Sequence, residues 1–406
     1  MGKISVDKNY RFDKVEELVE RKGIGHPDTI CDAIAEKASQ LYSSYFMKSY
    51  GRVAHHWFDK VMLIGGASDI AYGRGELLIP YKVIFAGKCV KKVGIVEVPI
   101  LHIFEEACNT VLSRVLTGFN INRDLVVVDE TVDYHGAGRK SKRYMPKKIE
   151  DLVVIDVESF VSNDCNLLSA HYPLTFLENL VLELEHYING AEFKLLFSES
   201  GWDVKIVGVK NKGYFELILN IPILASRVAN HSEYSKLVSK IKKHLENHCL
   251  KTYRYKIILI VNPQDCTGQP YLTSLGSAAD TGDVGVVGRG NRINGLITPM
   301  KSMSIEAPSG KNPIDHTGKI YGVLCTNLAR AIYYEFSTPV EVHIYTYKEV
   351  PLLDPTKIII DFDENGLDKL ANDRVKDKIT KICEREIKIG VPKIIDKFIK
   401  EGIIMW

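Results

Sequence analysis

The residues with the clearest capacity for chemistry lie between positions 281 and 322. Eight of the chain's 30 glycines fall there, interleaved with five cations: Arg289, Arg292, Lys301, Lys311 and Lys319. Glycine lets a backbone approach a ligand closely and point successive N–H groups at an anion, and Arg and Lys add full charges at the same surface. Glycines alone would favour the plainer interpretation of a loop. With the cations, the segment is suited to binding a polyphosphate.

This segment matches neither of two common nucleotide-binding motifs. A Walker P-loop ending at Lys311 would need glycine where Ile305 stands and serine or threonine where Asn312 stands. A Rossmann fingerprint would need G-x-G-x-x-G between a strand and a helix, with an acidic residue about 20 positions further on, and the sequence has no such unit. A polyphosphate site here must therefore be built in another way.

A second group of chemically capable residues lies in residues 20–36, ERKGIGHPDTICDAIAE. In the structural interpretation, Pro27 starts a helix and Asp28 caps it. In the functional one, the helix dipole favours anions at this end, His26 donates a hydrogen bond to a phosphate or bridging oxygen, and Asp28 binds Mg²⁺. The tripeptide alone does not decide between them.

A third group is the basic segment HGAGRKSKRYMPKK, residues 135–148. Six of the ten residues from Arg139 onwards are cationic, and they follow Gly136, Ala137 and Gly138 directly. A solvated basic loop would explain the composition. A glycine turn after the predicted strand DLVVV is also a sensible place for a triphosphate to meet a mobile, charged lid.

The elements that must position these residues are short β-branched strands and fewer, longer helices. The predicted strands are VMLIGG, ELLIPYKVIF, DLVVV, DLVVIDV, DVKIVGV, YFELILNIPIL, YKIILIV, VEVHIYTY and KIIIDF. The predicted helices span residues 28–51, 233–249, 320–336 and 371–399. DVKIVGV and YFELILNIPIL, joined by KNKG, predict a hairpin, and most pairing should be antiparallel. The mixed order, without strict βαβ alternation, predicts an α+β fold.

Composition limits the classes of partner. The 406 residues carry a formal net charge of +2, which leaves no overall field to attract nucleic acid or an anionic membrane. The eight cysteines form no C-x-x-C pair, so spacing reveals neither a zinc site nor a disulfide framework. No apolar run approaches the ~20 residues of a membrane span. We expect a cytoplasmic protein that binds neither nucleic acid nor membrane.

Three segments resemble the S-adenosylmethionine synthetases (methionine adenosyltransferases), in particular their archaeal-type branch. They are residues 20–36, residues 55–67 (HHWFDKVMLIGGA) and, most specifically, residues 282–321, GDVGVVGRGNRINGLITPMKSMSIEAPSGKNPIDHTGKIY. The resemblance implies an enzyme that joins ATP and methionine: the methionine sulfur attacks C5′ of the ribose and displaces triphosphate, which is hydrolysed to pyrophosphate and phosphate. Such a leaving group carries about four negative charges, which the cationic glycine segment would stabilise.

The resemblance also implies roles for individual residues. His26 would lie against the ribose and the leaving oxygen, Asp28 would hold Mg²⁺, and Asp283 would bind near the methionine amino end or the ribose. Lys311 and Arg289 would grip the triphosphate. The remaining residues expected to bind ATP are Gly136, Ala137, Gly138, Arg139, Ser309, Gly310, Arg292, Asp59 and Asp164.

At the level of the whole molecule, the resemblance implies three similar α+β domains, which we place at 1–135, 136–270 and 271–406. It also implies active sites shared between the two subunits of a homodimer, so that His26 and Lys311 can come from different chains. Mg²⁺ is the implied cofactor, together with K⁺, and ATP and methionine are the implied substrates.

The sequence departs from the archaeal-type pattern at several points. Where that pattern reads Asn-Asp-Thr-Ser-Phe-Gly-Val-Gly-Tyr-Ala-Pro, this chain has NDCNLLSAHYP from Asn163, which keeps Asp164 but neither glycine. Arg139 replaces a serine, Ser226 replaces an aspartate, and Trp57 with its neighbour replaces small polar residues. These positions neighbour the substrate pocket in the family, so the triphosphate chemistry is the firmer part of the prediction.

Three alternatives stay open at this point. A paralogue acting on a methionine analogue or on triphosphate only would explain the altered segment, and so would a catalytically inactive regulatory subunit. The tripeptide His-Pro-Asp is also the signature of J-domain co-chaperones, where it follows a basic helix. Here it follows KGIG, which is broken by glycine, and the rest of that domain's pattern is missing.

Overall fold

The computed structural model describes residues 3–134, 143–363, 365–366 and 373–406. Its helices are α1 (Pro27–Tyr50), α2 (Ile100–Val115), α3 (Ile121–Asp124), α4 (Phe176–Ile188), α5 (Ala191–Leu196), α6 (His231–Thr252), α7 (Thr317–Phe336), α8 (Asp373–Arg385) and α9 (Val391–Lys400). Its strands are β1 (Lys3–Tyr10), β2 (Glu17–Lys22), β3 (His56–Ile64), β4 (Ala67–Ala71), β5 (Arg74–Ile79), β6 (Tyr81–Cys89), β7 (Lys92–Val93), β8 (Val96–Glu97), β9 (Leu125–Val132), β10 (Asn166–Tyr172), β11 (Lys205–Asn211), β12 (Tyr214–Asn220), β13 (Ile223–Leu224), β14 (Ile257–Val261), β15 (Leu272–Thr273), β16 (Val284–Val286), β17 (Val340–Thr346) and β18 (Lys357–Asp363).

Three four-stranded sheets, each with helices against one face, form the body of the molecule. Sheet I has the strand order β16-β3-β6-β9, sheet II β14-β12-β11-β2, and sheet III β1-β18-β17-β10. α1 and α2 cover sheet I, α4 and α6 cover sheet II, and α7 with the α8–α9 segment covers sheet III. Each sheet has its own hydrophobic core. The layers confirm the predicted α+β fold.

Helix α1 begins at the His-Pro-Asp tripeptide and ends at Gly51 as the sequence predicts, but the prediction that Asp28 caps it was wrong, because Asp28 lies in the first turn and binds Val286 N. His26 is the N-cap, Pro27 occupies the first turn, and Gly51 ends the helix with φ of 64°, a left-handed conformation that suits glycine. The helix packs on β3 and β16 of sheet I and also contacts α2 and α9. It therefore lies between sheet I and α9.

The hairpin and the predominance of antiparallel pairing are confirmed. β11 and β12 pair in antiparallel register from Lys205↔Asn220 to Asn211↔Tyr214. Eight of the twelve strand pairings between described residues are antiparallel. The other predicted helices also form, as α6, α7 and, from Asp373, the segment α8–α9 joined by a π turn at Glu386–Gly390.

Three strand predictions were wrong. YFELILNIPIL is interrupted at Ile221 and Pro222 and forms β12 and β13, which belong to different sheets. DLVVIDV forms no strand: 3₁₀ turns lie at Ile149–Asp151 and Val157–Ser159, and Val153 makes a single bridge with Val53. ELLIPYKVIF is two strands, because Pro80 lacks an N–H for a ladder and separates β5 from β6. The domain boundaries stay a prediction. No helix of the described residues is both long and apolar enough to cross a bilayer.

Candidate active site

The N-terminus of α1 joins two of the chemically capable segments. Asp28 Oδ1 accepts a hydrogen bond from Val286 N at 2.9 Å, which fixes the helix start to β16 in the glycine segment. Asp28 Oδ2 accepts one from Lys22 Nζ at 2.8 Å, and the same ammonium donates to the carbonyl of Arg289. Gly285 is required here because a Cβ would lie 2.1 Å from the carbonyl oxygen of Pro27.

His26 is neutral at physiological pH in this setting. Burial lowers its pKa to about 4, against the opposing effect of the carboxylates of Asp28 and Asp283. Its Nδ1 accepts a hydrogen bond from Asp28 N at 3.2 Å, so the ring proton resides on Nε2. His26 can therefore donate one hydrogen bond from Nε2 to a ligand without carrying charge.

Asp32, one turn further along α1, is a site residue that the sequence reasoning missed. Its Oδ1 accepts a hydrogen bond from Gly288 N at 3.0 Å, and its Oδ2 is buried with no hydrogen-bond partner. Burial raises its pKa to about 7, and the charge of Asp28 adds to that effect. The i, i+4 spacing of Asp28 and Asp32 was a readable signal, since it places both carboxylates on one helix face.

The second half of the site surrounds Lys311. This side chain is only 5% exposed, forms an ion pair with Glu306, and has Asp59 Oδ2 at 3.7 Å from Nζ. Burial lowers its pKa to about 8, while the negative charges of Asp59 and Asp164 oppose that shift. The structure thus brings Lys311, Asp59 and Asp164 into one electrostatic neighbourhood.

A break in the pairing of β3 seats the loop before Lys311. The register of β3 against β6 shifts between Trp57 and Lys60, and Phe58 N donates instead to the carbonyl of Gly310 at 2.8 Å. Gly310 has φ of 77°, and a Cβ there would lie 2.3 Å from the carbonyl oxygen of Phe58. Position 310 therefore requires glycine, both for its backbone conformation and for its close contact with Phe58. The neighbouring Ser309 is buried.

A buried ion pair ties this loop to α1. Lys319 Nζ lies 2.7 Å from Glu36 Oε2 and donates to the carbonyl of Lys311 at 2.9 Å, and Glu36 also accepts from Gly310 N. Both charged side chains are almost fully buried. Glu36 is ten residues after His26, so at 1.5 Å per residue the two halves are about 15 Å apart along α1. One chain does not bring His26 and Lys311 into contact.

The other predicted ligand-binding residues lie in the glycine segment near the α1 N-terminus or outside the residues that the structure describes. Asp283 and Arg289 are exposed beside the α1 N-terminus, and Arg292 donates to the carbonyl of Gly288 at 3.0 Å. The predicted ATP-binding residues Gly136, Ala137, Gly138 and Arg139 fall outside the described residues. Arg143, the first described residue after them, donates to Asp315 Oδ2 at 2.6 Å, which links the basic segment to the loop after Lys311.

The altered segment from Asn163 has a structural use in this chain. It runs into β10, where His171 Nε2 and Glu178 Oε1 are 2.9 Å apart in a buried pair. Lys301 Nζ lies 3.2 Å from Glu178 Oε2, so the pair reaches into the cationic glycine segment. Ser169 N donates to Ser304 Oγ in the same loop. The segment therefore supports the loop that carries the site.

The chain was compared with known proteins. The family model described as S-adenosylmethionine synthetase (AdoMet synthetase) matches residues 4–402. An S-adenosylmethionine synthase from Pyrobaculum neutrophilum is 34% identical over 392 residues, 94% of each chain, and one from Aeropyrum pernix is 36% identical over 368 residues, 86% of each. A solved structure titled as an unusual S-adenosylmethionine synthetase from Campylobacter jejuni covers 96% of this chain and 95% of that chain, with a TM-score of 0.60 at 12% identity, which shows the fold. The chain belongs to the S-adenosylmethionine synthetase family, as the sequence predicted.

Proposed function

We propose that this chain synthesises S-adenosylmethionine from ATP and methionine, using the α1 N-terminus and the Lys311 loop as two parts of one site. The methionine sulfur forms a bond to C5′ of the ribose as the C5′–O bond to triphosphate breaks. Water then cleaves the triphosphate to pyrophosphate and phosphate. Family membership over nearly the whole chain supports this reaction.

The observation that carries the proposal is the bond from Val286 N to Asp28, because it fixes His26 beside the glycine segment. Neutral His26, with its proton on Nε2, donates a hydrogen bond to the ribose or to the leaving oxygen. A neutral donor can stabilise the negative charge that develops on the leaving oxygen, and it does not repel the cations nearby. Asp283 supplies a carboxylate on the same side for the methionine amino group.

Lys311 and Arg289 neutralise the leaving triphosphate in this proposal. Lys311 forms an ion pair with Glu306 in the buried loop, which supports a role for its ammonium in binding an anion. Triphosphate takes the place of that carboxylate, and Glu306 turns outwards. Arg289, exposed at the turn after β16, is available to the other end of the same polyanion.

The donor atoms at the α1 N-terminus fit a Mg²⁺ ion. Asp28 would hold it, with the unpartnered Oδ2 of Asp32 as a second oxygen. No group of three His, Cys, Asp or Glu side chains among the described residues could hold a metal by itself. Mg²⁺ usually binds through one or two carboxylates together with substrate phosphates, whose charge it would neutralise here. The need for K⁺ and the cytoplasmic location stay predictions.

A homodimer would complete the site. The face of sheet I away from α1 carries Met62, Ile64, Val126 and Val284, which are 37–45% exposed. Register places them in adjacent rows, with Val284 opposite Ile64 and Val286 opposite Met62. A second copy on this apolar face would lie against β16 and hence beside Asp28, so its Lys311 loop could reach the His26 of the first chain.

The test is a chromatographic assay of the purified protein with ATP, Mg²⁺ and K⁺, with and without methionine. S-adenosylmethionine formed together with equal amounts of phosphate and pyrophosphate would support the proposal. Phosphate released from added triphosphate, without product from methionine, would mean that the substrate is a different one. The absence of both products would indicate a non-catalytic subunit.

A further inference from the structure

A groove of about 660 Å³ lies on the surface of the α7–α9 layer, away from the site described above. Its walls are α7, the π turn at Glu386–Gly390, α9 and the segment around Ile403 and Ile404. This volume is that of sites for small organic ligands, which range from roughly 300 to 1,000 Å³. The groove touches the cationic glycine segment only through Ile293.

The groove is strongly cationic. Arg330 of α7, Arg385 beside the π turn, and Lys393 and Lys397 of α9 line it, and Glu386 is the sole carboxylate among the described residues that do. Glu386 is occupied by Arg385, with Nη2 and Oε1 at 3.0 Å. Within the described part of the chain, no carboxylate forms an ion pair with Lys393 or Lys397. Their i, i+4 spacing places both ammonium groups on one face of α9, about 6 Å apart at Cβ.

Between these cations the groove presents apolar surface. Ile389, in the π turn, is 52% exposed, and Ile404 is 75% exposed. Ile293 and Ile394 lie deeper in the same groove. An apolar surface of this kind bordered by charges of one sign is suited to a ligand with an apolar body and an anionic group.

The π turn contributes to this arrangement. π turns are rare, occur mostly as single turns within α-helices, and are frequent at functional sites. Here the turn separates α8 from α9 and brings Glu386, Ile389 and Gly390 to the groove wall. Gly390 matters locally, since a Cβ there would lie 3.2 Å from Glu386 Oε2 and would crowd the side chain that holds Arg385.

We propose that this groove is a binding site for an amphipathic organic phosphate. The phosphate, a dianion, lies between Lys393 and Lys397 with Arg330 opposite, and the apolar body covers Ile389 and Ile404. Cations from two helices match a double negative charge better than the single charge of a carboxylate. The site is independent of the reaction proposed above, because it uses none of the same side chains.

Isothermal titration with 1-naphthyl phosphate tests the proposal directly. We expect binding to the wild-type protein and at least about a tenfold weaker affinity for Lys393→Gln/Lys397→Gln, because two charge-assisted contacts are lost. The matched control Lys378→Gln/Lys381→Gln removes two exposed charges from α8 and should bind as the wild type does. Inorganic phosphate alone should bind more weakly than the naphthyl ester, since it gains nothing from the isoleucines.

Binding at the reaction site is distinguished with Lys311→Met. If Lys311→Met keeps its affinity for 1-naphthyl phosphate while the α9 variant loses it, the groove is the site. If the α9 variant binds as tightly as the wild type, or if only Lys311→Met loses affinity, the proposal is wrong. Both α9 lysines are exposed, so their replacement leaves the core intact, and an unchanged thermal unfolding temperature would verify that.

Discussion

Replacing Lys311 with methionine is the sharpest test of how the leaving triphosphate is stabilised. Lys311 is 5% exposed, so water cannot replace the electrostatic stabilisation that its ammonium group would give to an anion. The substitution also removes the cation that the carboxylates of Glu306 and Asp59 share. The leaving triphosphate would bring about four negative charges to this same place. Removing one preorganised group that stabilises transition-state charge costs roughly 2.7–4 kcal/mol. We therefore expect turnover to fall by at least about 100-fold.

The measurement follows S-adenosylmethionine, phosphate and pyrophosphate together at saturating ATP and methionine. Lys60→Met is the matched control, because Lys60 pairs with the same Asp59 but is 68% exposed, and we expect less than about a threefold change. Lys311→Met/Glu306→Gln should recover part of the lost turnover, since it removes the negative charge that Lys311 held. A Lys311→Met enzyme with a wild-type unfolding temperature and turnover within about fivefold of the wild type would refute the reasoning.

Three further predictions concern pH, metal and assembly. The kcat/KM for ATP should fall as pH rises through about 8, because the free enzyme loses the charge on Lys311. Asp59→Asn should move this fall in kcat/KM to lower pH, because the Asp59 carboxylate raises the pKa of Lys311. A flat profile to pH 9.5 would contradict both expectations. Asp28→Asn should raise the half-saturating Mg²⁺ concentration by about tenfold or more in activity titrations, whereas an unchanged Mg²⁺ dependence would remove Asp28 from the metal site. If the proposed homodimer forms through sheet I, Ile64→Glu should give a monomer in light scattering and abolish activity. Leu195→Glu, at an equally apolar but more exposed position on α5, should change neither, and an active monomer would disprove the shared site.

Local signals were enough to predict the start of α1. Pro27 and the terminal Gly51 indicate the first turn and the end, and the structure has both, but the cap is His26 and not the predicted Asp28. The capping box of α4, Thr175 with Glu178, was equally readable and was overlooked. So was the apolar periodicity of α2, whose residues Ile103, Phe104, Ala107 and Cys108 are all buried.

The errors arose where tertiary contacts override local preference. DLVVIDV has the β-branched composition of a strand, yet its surroundings offer it one bridge partner, Val53, and the backbone turns away on both sides. The Glu36–Lys319 ion pair joins residues 283 positions apart, and nothing in either local sequence announces the other. Asp32 was recognisable from its i, i+4 spacing to Asp28, but the loop that it holds through Gly288 N is visible only in the folded chain.

The pairing of β1 with β18 constrains how the chain can be made. Lys3–Asp7 lie in parallel register with Lys357–Asp361, so β1 leaves the ribosome 354 residues before the strand with which it pairs. β2 and β3 wait in the same way for β11 and β16. During synthesis their unpaired edges are exposed to other nascent chains, which favours aggregation over productive folding at high expression. Chaperone binding to residues 3–22, which shields these edges until their partners are made, should therefore raise the yield of native protein.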